Sequence, residues 1–380
     1  MEKIVFKKIL QDLFIFFILI SFTLGLIIWV LQAVSYLDFV TEDGHSFTVY
    51  MKYTLLTFPK IVNKIFTLTL FFSFCYVILR YEHSNELIIF WNIGINKLKF
   101  INIFIKFSFV LTVLHLILGV FIVPSLQDSA RSNIRESDIG LFESLLKPKK
   151  FIDALDNLTI YYDSKNNKGE LINFFIRDNN IENGYKITFA KKAIFDFRNQ
   201  KKILVLEDGS TLNNIDGSIT QFEFSKSDFI IDKLNSKTTG QTKTQENSTL
   251  ELLNCIIILN KIIEEETNEM KTYGFNNCRI RNMKNIYQEL YSRIILPFYN
   301  ILVTMISLLL ILNSKNDQTF KKHKHNIFIF GFVIIVFMES SMKLISRNIF
   351  ENYIIFSLPF IFSLFLYFYF LKKLAVNKKI

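Results

Sequence analysis

Long apolar windows alternate along the chain with short polar connections. Leu13 to Leu37 runs 25 residues without Asp, Glu, Lys, Arg or His. At about 1.5 Å per helical residue this exceeds the roughly 30 Å hydrocarbon layer of a bilayer, so a first membrane span is predicted there. Ile65 to Leu79 is shorter, and it reaches across by borrowing the turns that hold Pro59, Lys60 and Lys64, whose lysines can snorkel to the interface. Further spans are predicted over Phe107 to Gln127, which holds His115, and over Ile294 to Asn313. Asn326 to Ile345, with Glu339 and Lys343 inside it, and Asn352 to Leu371 complete the set. The basic start (Lys3, Lys7, Lys8) and Ala33-Val34-Ser35 resemble a signal peptide. The apolar stretch is much longer than a signal h-region, and it reads as an uncleaved anchor.

Between spans three and four the pattern changes to short β-branched and aromatic runs: LTIYYD, LINFFIR, KITFAKK, KILVLED and ITQFEFS. Turn signals separate them, at Asn166 to Gly169, Asn183-Gly184, Asp208-Gly209 and Asp216-Gly217, which predicts a small antiparallel all-β domain. Alternation is clearest where Thr220, Phe222 and Phe224 face one way and Gln221 and Glu223 the other. A polar stretch, Ser236 to Ser248, leads to a predicted helix over Leu250 to Met270, and a helix from Asn285 runs into span four. The resulting organisation is residues 1–123 (spans one to three), 124–292 (the β-rich insert with its helical flanks) and 293–380 (spans four to six).

Charge changes the picture only by giving an orientation. Residues 124–292 hold 23 Lys and Arg against 24 Asp and Glu, so the net charge of +10 comes from the membrane part and gives no reason to propose nucleic-acid binding. Counting the short connections, 15 basic residues fall on the side of both termini and five (Lys52, Lys60, Lys64, Lys343, Arg347) on the other. The positive-inside rule then places both termini in the cytoplasm and the β-rich insert on the far face. With 51% hydrophobic residues and 42 Phe, disorder is excluded.

Strong catalytic signatures are missing: the chain has no G-x-x-x-x-G-K-[ST], H-E-x-x-H, G-x-S-x-G or paired C-x-x-C motif, so no catalytic residue is assigned. Cys255 and Cys278 could pair in an oxidising compartment, but their spacing says nothing about geometry and free thiols are expected. His323-Lys324-His325 lacks nearby carboxylates and reads as part of the cationic loop, not as a metal site. His115 is expected to make an interhelical hydrogen bond. Glu339 and Lys343 stand at i and i+4 within a span, either as a structural pair or as a functional pair at membrane depth.

Several segments, in order, resemble the LptF/LptG (YjgP/YjgQ) permease family. Asn85-Glu86-Leu87-Ile88-Ile89-Phe90-Trp91-Asn92-Ile93-Gly94-Ile95 is similar to its cytoplasmic S-E-L-x-x-[LM]-[RK]-x-x-G-[IV] segment, and Val123-Pro124-Ser125 to its V-P-x-S. Gly140-Leu141-Phe142 and Leu158-Thr159-Ile160-Tyr161 resemble the start of its periplasmic domain, and Glu289-Leu290-Tyr291-Ser292-Arg293 with Pro297 its E-L-x-x-R-x-x-x-P. The first loop, Leu31 to Gly44, and the Gly-Leu-Phe element look more like the LptF branch. Two departures stand out: span two lacks the family's second proline, continuing Ile65-Phe66-Thr67, and Phe90-Trp91-Asn92 replaces the basic position.

The resemblance implies six transmembrane helices (3+3) with an inserted, jelly-roll-like periplasmic β-domain, in the bacterial inner membrane. It implies the permease subunit of an ABC transporter that extracts lipopolysaccharide and passes it to a periplasmic LptC/LptA-like bridge. The partners would be a dimeric LptB-like ATPase, which binds the ATP and Mg, and a paralogous LptG-like permease; no cofactor is expected in this chain. Residues from about 84 to 95 would form a coupling helix, with Glu86, Leu87, Trp91 and Gly94 meeting the ATPase and Gly94 allowing close approach or ending the helix. Lys60, Lys64, Arg293, Lys343 and Arg347 would meet anionic head groups, or anchor the interface, and Glu339 with Lys343 would sit at a lateral gate. Phe174, Phe189, Phe195, Phe222 and Phe224 would line an acyl-chain groove or simply form the β-domain core. A six-span sensor with an extracytoplasmic ligand-binding β-domain is the alternative; it would need no ATPase.

Overall fold

The computed structural model of the protein describes residues 2–37, 40, 46–145, 148–155, 158–166, 169–179, 184–198, 201–215, 218–230, 243–264, 278–347 and 349–376. Six helices among them are long and apolar enough to cross a membrane: Glu2–Ser35, Phe47–His83, Lys97–Ile134, Ile280–Leu312, Phe320–Leu344 and Glu351–Leu374. They are spans 1 to 6 below. Two compact units divide the chain, one of residues 1–35, 54–130 and 242–380 and the other of residues 36–53 and 131–241.

In the first unit span 4 is the most buried helix and spans 1 and 6 are the least. Its buried face carries Asn300, Thr304 and Ser307, about one every helical turn, and the first two meet Ser108 of span 3. Thr304 Oγ1 donates to Ser108 Oγ (2.9 Å), and Ser108 Oγ to the Asn300 carbonyl (3.2 Å). Small polar residues let two backbones approach while every hydroxyl finds an acceptor, which is how helices adhere where no hydrophobic drive acts between them. Pro297 supplies no N–H, and the helix turns 3₁₀ at Leu296–Phe298 before resuming. Gly331 of span 5 is required by close approach, because a Cβ there would enter the Phe71 ring. Span 3 contains a π-helical stretch, Leu118–Ile122, and then continues as helix from Val123 to Leu145, past the end expected at Gln127.

Cys255 and Cys278 form a disulfide with Cα atoms 5.8 Å apart, which corrects the expectation of free thiols. The spacing was uninformative because Cys255 lies on helix Thr249–Glu264 and Cys278 precedes the first turn of span 4, and it is packing that brings these elements together.

In the second unit the described strands form one antiparallel sheet: β1 (Ile152–Leu155), β2 (Leu158–Tyr161), β3 (Ser164–Lys165), β4 (Leu171–Asp178), β5 (Gly184–Arg198), β6 (Lys201–Ile215) and β7 (Ser218–Ile230). The order is β1-β2-β4-β5-β6-β7 with β3 also on β4, a meander in chain order; no Greek-key crossing occurs among the described residues. Asp208-Gly209, expected as a turn, lies instead in the middle of the 15-residue β6. The turn signals Asn183 and Asp216-Gly217 fall outside the described residues, as do Asp43-Gly44 and 236–242 of the polar stretch.

The sequence signal at Asp208-Gly209 marks a kink. Asn173 and Asp208 have φ of 52° and 49°, a left-handed conformation that Asn and Asp tolerate best among residues with a side chain. The inward row Phe174, Ala190, Gly209, Phe224 lies in register across four strands, and the next inward positions are Leu171, Ala193, Leu206 and Ser227. Each strand therefore steps three residues, not two, across one line, and a single sheet bends while keeping its core face inward. Gly209 is obligatory here: a Cβ would meet the Phe189 carbonyl oxygen and the Phe224 ring.

Candidate functional site

At one end of the helical unit, spans 2 to 5 line a cavity of about 200 Å³ in which charged and polar side chains gather beside apolar ones. Lys60, Asn63 and Lys64 enter it from span 2, His115 and Gln127 from span 3, Glu289 and Arg293 from span 4, and Glu339 from span 5. Lys60 Nζ donates to Gln245 Oε1 (2.8 Å) and more weakly to Gln127 Oε1 (3.5 Å). His115 forms the floor. Asn300 Nδ2 donates to its Nδ1 (3.0 Å), so Nε2 carries the proton and donates to the Asn63 carbonyl (3.1 Å). Thr67 Oγ1 donates to Asn300 Oδ1 (2.8 Å), and Phe66 stacks on the imidazole at 4.2 Å. The ring is thus held by spans 2 and 4, as an interhelical hydrogen-bonding histidine. Gly119, in the π-helical stretch, faces Asn63, whose buried Oδ1 has no hydrogen-bond partner among the described residues.

Five cations were expected to face a head group, and the structure divides them. Lys60 and Lys64 line the cavity, while the exposed Lys343 and Arg347 do not. Arg293 does line it but is only 3% exposed, and its guanidinium is already engaged. Nε donates to Glu289 Oε1 (2.9 Å), one terminal nitrogen to the Asn247 carbonyl (2.9 Å) and Thr249 Oγ1 (3.0 Å), and the other to the Gln245 carbonyl (3.0 Å). Arg293 therefore fastens the segment 245–249 to span 4 instead of presenting a free charge. Glu339 and Lys343 form no ion pair with each other among the described residues. Glu339 shares the cavity with Lys60 and Lys64, whereas Lys343, in the last turn of its helix, carries its ammonium outward on a long stem.

At the opposite end of the unit the short helix Glu86–Asn92 follows span 2. Asn85 opens it at φ 63°, and Ser84 Oγ donates to Glu86 Oε1 (3.0 Å). Gly94, at φ 88°, ends it: the N–H of Ile95 bonds to the Phe90 carbonyl and that of Gly94 to the Trp91 carbonyl, both at 3.1 Å. This is a Schellman closure, which needs a residue free to turn left-handed. Leu87 and Phe90 are buried in the helical core, and Trp91 is half-buried, with Lys97 Nζ 5.3 Å from its ring centre. Of Leu87 and Trp91, expected to meet a partner, Leu87 packs into the bundle and Trp91 is covered only in part. Ile89 and Ile93, an i and i+4 pair at 52% and 53% exposure, form the outward apolar face. That face was legible only in hindsight, since every hydrophobic in ELIIFWNI looks alike until two of them are known to be buried.

The same end is cross-braced. Buried Glu82 accepts from the Lys315 N–H (2.8 Å), and Lys315 Nζ donates to the His83 carbonyl (3.1 Å), tying the connection between spans 4 and 5 to the helix junction. His323 Nε2 donates to the Leu309 carbonyl (3.1 Å).

In the β-sheet unit the five phenylalanines do not form one groove. Phe174 is core, Phe195 and Phe224 are half-buried against it, and Phe222 is exposed at the margin of the same face. Phe189 points to the opposite face, where its ring meets Phe175 at 5.1 Å, because its register places it beside the inward Ala190. A cavity of about 800 Å³ follows the kink, and Asn173, Lys191, Asp208, Ser210 and Glu223 make its lining largely polar. A third cavity, about 620 Å³, lies between spans 3, 4 and 6 and is mainly apolar, lined by Ile105, Phe298, Ile301, Met305, Phe360 and Leu364.

Compared with known families, the chain matches the family model described as lipopolysaccharide export system permease LptF/LptG over residues 7–373. No curated protein matches it.

Proposed function

The chain belongs to the LptF/LptG permease family of the lipopolysaccharide export system, and from that membership we propose that it is an LptF-like half of a two-permease ABC exporter. This exporter lifts lipopolysaccharide from the outer leaflet of the bacterial inner membrane and hands it to a periplasmic LptC/LptA-like bridge. One observation carries the reading: the family match runs through both three-span halves and the sheet inserted between them.

Two independent features support an orientation with cytoplasmic termini and a periplasmic sheet. Basic residues concentrate in the connections on the terminal side, as the positive-inside rule requires. The disulfide Cys255–Cys278 belongs to the segment returning from the sheet, and disulfides persist in the periplasm but not in the reducing cytoplasm.

On this reading the short helix Glu86–Asn92 docks on an LptB-like ATPase dimer, which binds the ATP and Mg. Ile89 and Ile93 enter its groove, and Glu86, released from Ser84, pairs with a cation. The cavity lined by spans 2 to 5 is too small for a sugar backbone and suits one anionic group, with Lys60 and Lys64 as its ligands and Glu339 as the carboxylate displaced on loading. Exposing one twelve-carbon chain to water costs about 10 kcal/mol, so acyl chains stay in hydrocarbon or on protein. The apolar cavity between spans 3, 4 and 6 offers one such surface, and the margin at Phe222 and Phe224 offers the sheet's receiving edge.

A mild-detergent pull-down of the tagged chain from its own membranes, with mass spectrometry of proteins and lipid, tests this. A small ATPase, a second six-span permease and lipopolysaccharide are expected together, and Ile89→Asp should lose the ATPase while the chain stays folded. Recovery of the chain alone with ordinary phospholipid would overturn the exporter reading in favour of a membrane sensor.

A further inference from the structure

Span 1 touches the rest of its unit mainly through large side chains. Phe16 stacks on Tyr76 (4.1 Å), Phe17 meets Phe66 (4.9 Å) and Phe22 meets Phe58 (6.2 Å). Its polar joints among the described residues include these: Glu2 pairs with Lys99, Tyr81 Oη donates to Asp12 Oδ2 (2.8 Å), Ser21 Oγ donates to Thr69 Oγ1 (2.9 Å) and Trp29 Nε1 donates to the Thr54 carbonyl (2.8 Å). Two contacts of span 1, Tyr81–Asp12 and Phe100–Phe6, lie one step from the short helix Glu86–Asn92. Phe90 meets the ring of Tyr81, centroids 6.3 Å apart, and Tyr81 holds Asp12 of span 1. Trp91 meets Phe100 edge-on at 5.6 Å, and Phe100 meets Phe6 of span 1 at 5.8 Å.

From these contacts we propose that Phe90 and Trp91 are positioning residues that transmit displacement of the short helix to span 1, through Tyr81–Asp12 and through Phe100–Phe6. Phe90, Tyr81, Phe100 and Phe6 are all buried, so a shift of the docking helix presses on rings with little free space around them. Both inputs sit on the stretch Phe90-Trp91-Asn92 that departs from the family's pattern, so this chain uses aromatic contacts where a basic residue is expected. The first route runs through a polar joint: the half-buried Asp12 carboxylate accepts from the Tyr81 phenol, and losing that bond removes a tie between spans 1 and 2. The proposal rests on the docking role given above to the short helix.

Hydrogen–deuterium exchange of the full-length chain in micelles, read over residues 2–14, tests the relay in a double-mutant cycle. Phe90→Ala and Asp12→Asn change residues linked through Tyr81, and each is expected to raise exchange over that stretch by about tenfold. If the relay holds, the two effects fall short of multiplying by a factor of about three or more, and the shortfall disappears in a Tyr81→Phe background. Purely local packing roles predict multiplicative effects in either background, and that result overturns the relay. Should Phe90→Ala fail to fold, Phe90→Leu serves in the same cycle. The premise is read separately: absence of an ATPase from the pull-down removes the docking role of the helix, while the exchange cycle still decides whether it is wired to span 1.

Discussion

Removing the charge of Arg293 while keeping its bulk, as in Arg293→Met, should release the segment 245–249 from span 4. The side chain is nearly enclosed and makes four hydrogen bonds, one of them to the largely buried carboxylate of Glu289. Deleting one partner of such a pair leaves an uncompensated charge and orphaned carbonyls, at a cost of about 3–5 kcal/mol. In local opening this corresponds to an increase of roughly two to four orders of magnitude in amide exchange over residues 244–250, measurable by mass spectrometry on the detergent-purified chain. Glu289→Gln combined with Arg293→Met should recover part of the loss, because the stranded negative charge is gone. Exchange raised by less than about tenfold would refute the locking role. If Arg293→Met left exchange unchanged but reduced co-purifying lipopolysaccharide, the guanidinium would be a lipid ligand after all.

Gly209→Ala forces a methyl group into the Phe189 carbonyl and the Phe224 ring, and a loss of about 1–3 kcal/mol is expected, seen as an earlier β-sheet transition in circular dichroism; an unchanged transition would mean that the kink can relax. Denatured, unreduced protein should accept thiol label at Cys75 alone and at all three cysteines after reduction. Cys255→Ser should cost about 2–4 kcal/mol in denaturant unfolding, and full labelling before reduction would contradict the bridge. Asn300→Leu strands the Thr67 hydroxyl and His115 Nδ1 in the bundle interior, so a drop of about 1–3 kcal/mol in thermal or denaturant stability is expected; no drop would mean that the His115 network does not hold spans 2 to 4 together.

The spans, the inserted sheet and the order of family motifs could all be read from the chain alone. Each is a local property: a run of uncharged residues long enough for hydrocarbon is a span wherever it sits, and β-branched runs between turn residues form strands. Side-chain employment is different, because it depends on what another part of the chain brings within 3 Å. Arg293 reads as a surface cation until residues 245–249 arrive to accept three of its four hydrogen bonds, the fourth going to Glu289. Cys255 and Cys278 could pair or stay free on sequence alone, and only packing brings them together. Asp208-Gly209 carries a turn's composition, yet the neighbouring strands pair straight through it and convert the turn into a kink. In ELIIFWNI the pattern marks a helix but not which hydrophobics are anchors; only the bundle beneath it turns Leu87 and Phe90 inward and leaves Ile89 and Ile93 to face outward. Membrane insertion and strand formation are decided by the solvent and by near neighbours in sequence, whereas charge pairing, burial and register are decided by partners distant in the chain, and so only tertiary structure could assign them.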